Sequence, residues 1–316
     1  MEKKKFIILA LVLIGLVLVS GCSTKKATTE TGPANAFIGG TDGLVMSFVQ
    51  DAPPAEYPQQ VPFDIIINVE NKGESTVPAD AANIIIGGIS ASAYGIENPS
   101  QTLEELPGKQ LIQKTTTPGG VTQATFSSTT GSRPFPGSQP QKITATLCYP
   151  YVTQVQGTVC ITPSLARQTV GGAQLCTVTG SKTVYSSGAP VKITSLSESA
   201  TSSAGKITGF RFTMFVKDEG PGTAYLGTTC PPTLGDANRV KVISAKLINL
   251  NKDLDCGKAA TDAGVLITGD NGGVITCTVE GLSSQDISGE FEDVLVMQLG
   301  YGYTQSITKS ITFTTT

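Results

Sequence analysis

The chain has 316 residues, with 22 Lys and Arg against 25 Asp and Glu, and neither His nor Trp. Lacking His, it has no imidazole to act as general base, proton shuttle or neutral metal ligand, which excludes Ser-His-Asp and Cys-His hydrolases, zinc proteases and His-ligated haem proteins. Charged residues make up 15%, against about 25% in ordinary soluble domains. The rest is rich in Thr, Ser, Val and Ile, a strand-forming mixture with polar outer faces.

Residues 1–22 read MEKKKFIILALVLIGLVLVSGC. Lys3, Lys4 and Lys5 precede an uncharged apolar run, Phe6 to Val19. That run is shorter than the roughly 18 residues a spanning helix needs and fits the apolar core of a signal peptide. It ends in Val19-Ser20-Gly21-Cys22, where small residues admit a peptidase and the Cys22 thiol can take a lipid. This resembles the lipobox of prokaryotic lipoproteins, with residues 1–21 removed and Cys22 lipidated; the alternative is an uncleaved signal anchor ending in an incidental Cys. Removing Lys3, Lys4, Lys5 and Glu2 leaves a more acidic chain with no basic patch, so nucleic acid is not an expected partner. The polar stretch after Cys22, up to residue 36, reads as a flexible tether.

Beyond the tether, Phe63 to Gly73 (FDIIINVENKG) can be laid on Phe210 to Gly220 (FRFTMFVKDEG) at an offset of 147, and Leu147 to Tyr151 (LCYPY) on Leu299 to Tyr303 (LGYGY) at an offset of 152. Two ordered matches with little drift indicate two copies of one module. Phe63, Ile65, Ile67 and Val69 alternate with Asp64, Ile66 and Asn68, the period-2 pattern of a half-buried strand, and Phe210, Phe212, Met214 and Val216 repeat it. Asn71-Lys72-Gly73 and Asp218-Glu219-Gly220 read as turns in which Gly supplies positive φ. In chain order, the spacing predicts further strands over 82–89, 121–127, 141–149 and 157–162, then 190–197, 240–250, 264–268, 273–279, 292–303 and 305–314. The Pro-rich segment 90–140 is expected to combine strands with an exposed loop. The expected architecture is all-β, with Ig-like antiparallel sandwiches over 37–164 and 189–316 and a linker over 165–188.

Apart from Cys22, six Cys remain, and an even number on an exported chain reads as three disulfides. The turn Gly269–Gly273 lies between two strand candidates and favours Cys256 with Cys277. A hairpin turning near Gln154–Gly157 would pair Cys148 with Cys160, leaving Cys176 for Cys230. No two Cys have CxxC spacing, so a thiolate metal site is not expected.

Two weaker sites come from side-chain chemistry. A strand through Asn249, Asn251, Asp253 and Asp255 would set oxygen ligands on one face, making Asp253 and Asp255 calcium candidates; a solvated outer face accounts for the pattern equally well. Tyr149, Tyr151, Tyr301 and Tyr303 recur at i, i+2 in both copies. They could stack on a sugar or a protein, or pack inside with each hydroxyl tied to the backbone, as in a tyrosine corner. Their recurrence in both copies favours packing.

Gly40 to Phe48 (GTDGLVMSF), Ala52-Pro53-Pro54, Phe63 to Gly73, Cys148 to Thr153 (CYPYVT), Val159-Cys160-Ile161 and Gly188 to Val191 (GAPV) form an ordered series. Together they resemble cell-surface lipoproteins of archaea whose modules are of the CARDB immunoglobulin-like type. The resemblance implies sandwich modules outside the membrane and an adhesive or structural role, without a catalytic residue or cofactor to carry over. The expected function is a lipid-anchored, extracellular, non-catalytic binding or adhesion module with a protein or glycan partner at the cell surface. The rivals are a coat or filament subunit assembling through its C-terminal strand, Ser306 to Thr314, and a solute-binding or accessory lipoprotein.

Overall fold

The computed structural model describes residues 37–316 except 114, 135, 165–174, 228, 269–270, 284 and 316. The expected signal segment 1–21, Cys22 and the expected tether to residue 36 lie outside the described residues. Within them, the alternation read from the sequence becomes strand: Phe63, Ile65, Ile67 and Val69 are buried, Asp64 is exposed, and Ile66 and Asn68 are half-buried. The first half of the chain contributes β1 (Leu44–Phe48), β2 (Glu56–Pro58), β3 (Phe63–Asn71), β4 (Asn83–Gly87), β5 (Ser100–Thr102), β6 (Gln110–Ile112), β7 (Thr115–Thr117), β8 (Val121–Ser128) and β9 (Gln139–Ile161). The second contributes β10 (Gly180–Lys182), β11 (Val184–Ser186), β12 (Val191–Ser203), β13 (Lys206–Asp218), β14 (Thr223–Tyr225), β15 (Arg239–Leu247), β16 (Lys252–Asp253), β17 (Val265–Leu266), β18 (Gly273–Glu280) and β19 (Phe291–Thr314). The described residues form no α-helix, only the short 3-10 turns Ala91–Tyr94 and Gly257–Ala260. The protein is all-β.

The strands make two small sheets, β1-β3-β8 and β10-β12-β13-β18, and one ten-stranded sheet whose main path is β16-β15-β19-β9-β4-β5; β6 and β7 pair only with each other. Pairing is antiparallel except where β2 runs parallel to the end of β19. The two small sheets are matching copies. Leu44 opposes Asn71 in the first, and Val191 opposes Asp218 in the second, both displaced by the offset of 147 read from the sequence.

The large sheet joins the copies. β9 and β19 pair along the whole length of β9, from Phe291 opposite Ile161 to Phe313 opposite Gln139. Tyr149 opposes Tyr303 and Tyr151 opposes Tyr301, so a local two-fold relation passes through the Pro150–Gly302 pair. Each long strand completes the other half. Phe313, at the end of β19, packs against Phe63 and Tyr94 in the first half, with ring centroids 5.6 and 5.5 Å apart. In return Val159 and Ile161, at the end of β9, are buried beyond the axis, and a Cβ on Gly157 would run into Leu196 of β12.

This geometry corrects several expectations. The separate candidates 141–149 and 157–162 are one strand, and so are 292–303 and 305–314, because the polar residues between them lie on a continuous strand face. The stretch assigned as linker holds β10 and β11, which pair with β12 and β9; its residues 165–174 lie outside the described ones. Residues Asn35–Thr316 form one compact unit, within which the modules 37–164 and 189–316 are interlocked halves. The C-terminal strand is internal, with Ile311 and Phe313 buried.

Of the expected disulfides, Cys256–Cys277 is present, while the others are Cys148–Cys230 and Cys160–Cys176. Cys148 and Cys160 cannot pair because both lie on unbroken β9, roughly 40 Å apart at strand rise. That leaves Cys176, adjacent to the end of β9, for Cys160. By loop-closure entropy, the 82-residue separation of Cys148 and Cys230 makes that bridge the largest constraint on the unfolded chain, worth about 4 kcal/mol.

Because Phe313 fills a core built by the opposite half, Phe313→Ala should cost about 3–5 kcal/mol and leave one unfolding transition. Leu234→Ala, at a fully exposed position, should change neither. Denaturant unfolding followed by tyrosine fluorescence and far-UV dichroism checks this; two separate transitions would contradict the interlocking.

Candidate functional site

The four tyrosines all point to the face of the large sheet that the small sheets cover. Their rings form a closed square, with neighbouring centroids 5.7, 5.8, 6.4 and 6.4 Å apart. Each hydroxyl is committed. The Leu44 N–H donates to Tyr149 Oη at 3.1 Å, and the Val191 N–H donates to Tyr301 Oη at 3.3 Å. Tyr151 donates to Asn71 Oδ1 and accepts from Ser75 N–H, while Tyr303 donates to Asp218 Oδ1 and accepts from Gly222 N–H. Burial holds all four phenols above their ordinary pKa. Tyr149, Tyr151, Tyr301 and Tyr303 are therefore packing residues, inaccessible to a sugar or a protein surface.

The same contacts explain the Asn-x-Gly and Asp-x-Gly turns. A Cβ on Gly73 would run into the Tyr151 hydroxyl, and one on Gly220 into the Tyr303 hydroxyl. Close approach of a ring, rather than positive φ, requires glycine here. Burial also raises the Asp218 carboxyl above its usual range, against the opposing pull of Ala224 N–H, Gly220 N–H and the Tyr303 hydroxyl.

The calcium candidates do not converge. Asn249–Asn251 lies in a turn outside any strand, and β16 is only Lys252–Asp253. Asp255 Oδ1 accepts from Gly257 N–H at 2.8 Å, and neither Asp253 nor Asp255 belongs to a cluster of three thiol or carboxylate ligands among the described residues. The cluster that does occur, Cys160, Cys176 and Glu290, has both sulfurs in a disulfide.

Exposed apolar side chains and hollows lie elsewhere on the surface. The segment from Leu226 to Arg239 is braced by Cys148–Cys230, by Thr233 Oγ1 donating to Asp236 Oδ2 at 2.6 Å, and by Arg239 Nε donating to Gly235 O at 3.1 Å. At its tip, Leu234 is 100% exposed. Beside it, on the outer face of the large sheet over Pro150 and Gly302, a depression of about 450 Å³ is lined by Tyr225, Lys241 and Ile243. A hollow of about 600 Å³ lies at the far end of the second half, among Pro163, Ile207, Leu282 and Ile287. Phe215 and Val274 oppose each other on β13 and β18, and both are about half exposed.

One buried group was not read from the sequence. Glu198, in β12, accepts from Cys160 N–H at 2.9 Å and pairs with Lys182 Nζ at 3.0 Å through Oε2, while Oε1 has no hydrogen-bond partner. The carboxylate stands where a neighbouring strand's carbonyl would continue beyond β11. Burial dominates over these partners and pushes its pKa up to about 7.

No family model matches the chain, and no curated protein matches it. Among solved structures, the collagen adhesin of S. aureus aligns over 90% of this chain and 95% of that one at 8% identity, with a TM-score of 0.14. That score carries neither fold nor function across.

A carboxyl that holds its proton more tightly when folded favours the native state at low pH. The Glu198 contribution is therefore full below its unfolded pKa near 4.5 and is lost as pH rises through about 7. The native protein should lose on the order of 3 kcal/mol of stability across that window, and Glu198→Gln should remove this slope. Equal slopes in urea melts of the two proteins would contradict the assignment.

Proposed function

We propose that this chain is a membrane-anchored extracellular lipoprotein acting as a non-catalytic binding or adhesion module, with Cys22 as its lipid acceptor and a protein or glycan at the cell surface as its partner. The N-terminal pattern, basic Lys3 to Lys5, the apolar run and Val19-Ser20-Gly21-Cys22, supports the anchor. The resemblance to archaeal surface lipoproteins supports the setting, and three disulfides accord with an oxidising compartment. The observation that carries the binding role is the braced loop presenting Leu234. A leucine held in water by a disulfide, a side-chain hydrogen bond and an arginine tie forfeits little entropy on docking, which is how preorganised contacts gain affinity.

Residues 306–313 pair with β9 along one edge, so donating this strand to a neighbour would require it to leave that ladder. The loop makes the adhesive reading testable. Oxidised protein should bind washed cells or isolated envelopes saturably, and reduction should abolish binding. Leu234→Asp should weaken binding at least about tenfold, the loss of one well-packed apolar contact, without changing the melting temperature. Unaltered binding by Leu234→Asp would remove the loop from the interface. Self-association without envelope binding would favour a coat subunit.

A further inference from the structure

The two small sheets are copies, yet the charges on their outer faces are opposite. Asp64 and Glu70 point outward from β3, and at the offset of 147 β13 carries Arg211 and Lys217. The position just after each strand is inverted as well, with Lys72 in the first half and Glu219 in the second. Lys192, opposite Lys217 on β12, adds to the basic face, and Glu280 is the acid at the far end of β18. Among the described residues, Asp64, Lys192, Arg211 and Lys217 form no ion pair, while Glu70 and Lys72 meet at 3.7 Å with both side chains well exposed.

The spacing fits one face to the other. On each strand the two like charges lie six residues apart, roughly 20 Å at strand rise. Between them on the same face is an apolar residue, Ile66 on β3 and Phe215 on β13. Laid face to face with these strands antiparallel, Asp64 meets Lys217, Ile66 meets Phe215, and Glu70 meets Arg211. A parallel arrangement also matches the charges but sets Phe215 over Asn68, whose Oδ1 already accepts from Gln123 Nε2 at 2.7 Å. Val274, half exposed and opposite Phe215, widens the apolar strip. Stacked sheets lie about 10 Å apart, a gap that side chains of this length bridge. Complementary charge then sets partner and alignment, and the apolar pair contributes buried area.

We propose that the outer face of the β1-β3-β8 sheet docks on the outer face of the β10-β12-β13-β18 sheet of a second copy of this chain, with β3 antiparallel to β13. Docking of like on like would bring Asp64 and Glu70, or Arg211 and Lys217, against themselves, so the contact joins unlike halves. It does not depend on the lipid anchor.

The test is sedimentation velocity on the full oxidised chain in a nonionic detergent, which keeps the apolar run Phe6 to Val19 from contributing. The natural chain should self-associate in low salt and lose at least about tenfold in affinity in about 0.5 M salt. The double variants Asp64→Lys/Glu70→Lys and Arg211→Glu/Lys217→Glu should each lose association at an unchanged melting temperature. Combining all four substitutions in one chain should restore it. The alignment is read from Asp64→Lys/Lys217→Asp, which should associate, against Asp64→Lys/Arg211→Asp, which should not. A natural chain that stays monomeric in low salt overturns the proposal, and so does association that survives both double variants. Failure of the fourfold variant to recover overturns the charge pairing. Recovery by Asp64→Lys/Arg211→Asp instead overturns the antiparallel alignment.

Discussion

The structure depends on one ladder, the pairing of β9 with β19, and on the four tyrosine rings seated at its centre. Backbone hydrogen bonds alone would allow two long strands to slip past each other. A slip by one residue would send the two tyrosines of the slipped strand to the solvent face, and a slip by two would separate its hydroxyls from their partners. The hydroxyl contacts reach both small sheets, so the register of one strand pair also sets the position of the covering layers. Thr153 of β9 donates to Val191 O in the second half, and Gln305 of β19 donates to Leu44 O in the first. These two bonds are counterparts under the same two-fold relation, and they tie each long strand to the half it enters.

Much of this was legible in the sequence because the repeat is written in residues that share one physical job. Leu44 and Val191, Asn71 and Asp218, Tyr149 and Tyr301, Tyr151 and Tyr303 each recur at a fixed offset, since each pair makes the same contact twice. The alternation in 63–69 and 210–216 likewise gave real strands. What could not be read was where strands continue. Gln154 and Gln156 look like turn residues only when β9 is assumed to end within its own module; on a strand crossing into the other half they are simply outer-face positions. The misassigned disulfides follow from that one error, because a hairpin was needed to bring Cys148 to Cys160.

The candidate sites divide along the same line. The tyrosines were singled out correctly and their packing role was favoured, since recurrence in both copies marks a structural contact. Asp253 belongs to a two-residue strand and Asp255 to an isolated bridge with Thr278, while Asn249 and Asn251 lie in the preceding turn, distinctions that periodicity cannot make over so few residues. Leu234, Glu198 and the β6–β7 hairpin carry no repeat, because each occurs in only one half. The two copies differ at these places: the braced loop belongs to the second half, and the exposed β6–β7 hairpin and the Glu74 carboxylate that accepts from Ile38 N–H and Gly39 N–H belong to the first.

The reciprocal crossing of β9 and β19 also orders events in time. The first half contains all its other strands once residue 161 is made, yet Phe63 and Tyr94 meet their final neighbour only when Phe313 arrives. Until then β9 exposes one full edge of unpaired backbone groups, the kind of surface that recruits a wrong strand. Contacts so distant in sequence form slowly, after a large loop has closed. A chain of this design keeps that edge open until β19 is made, and the first half closes its core only when Phe313 arrives.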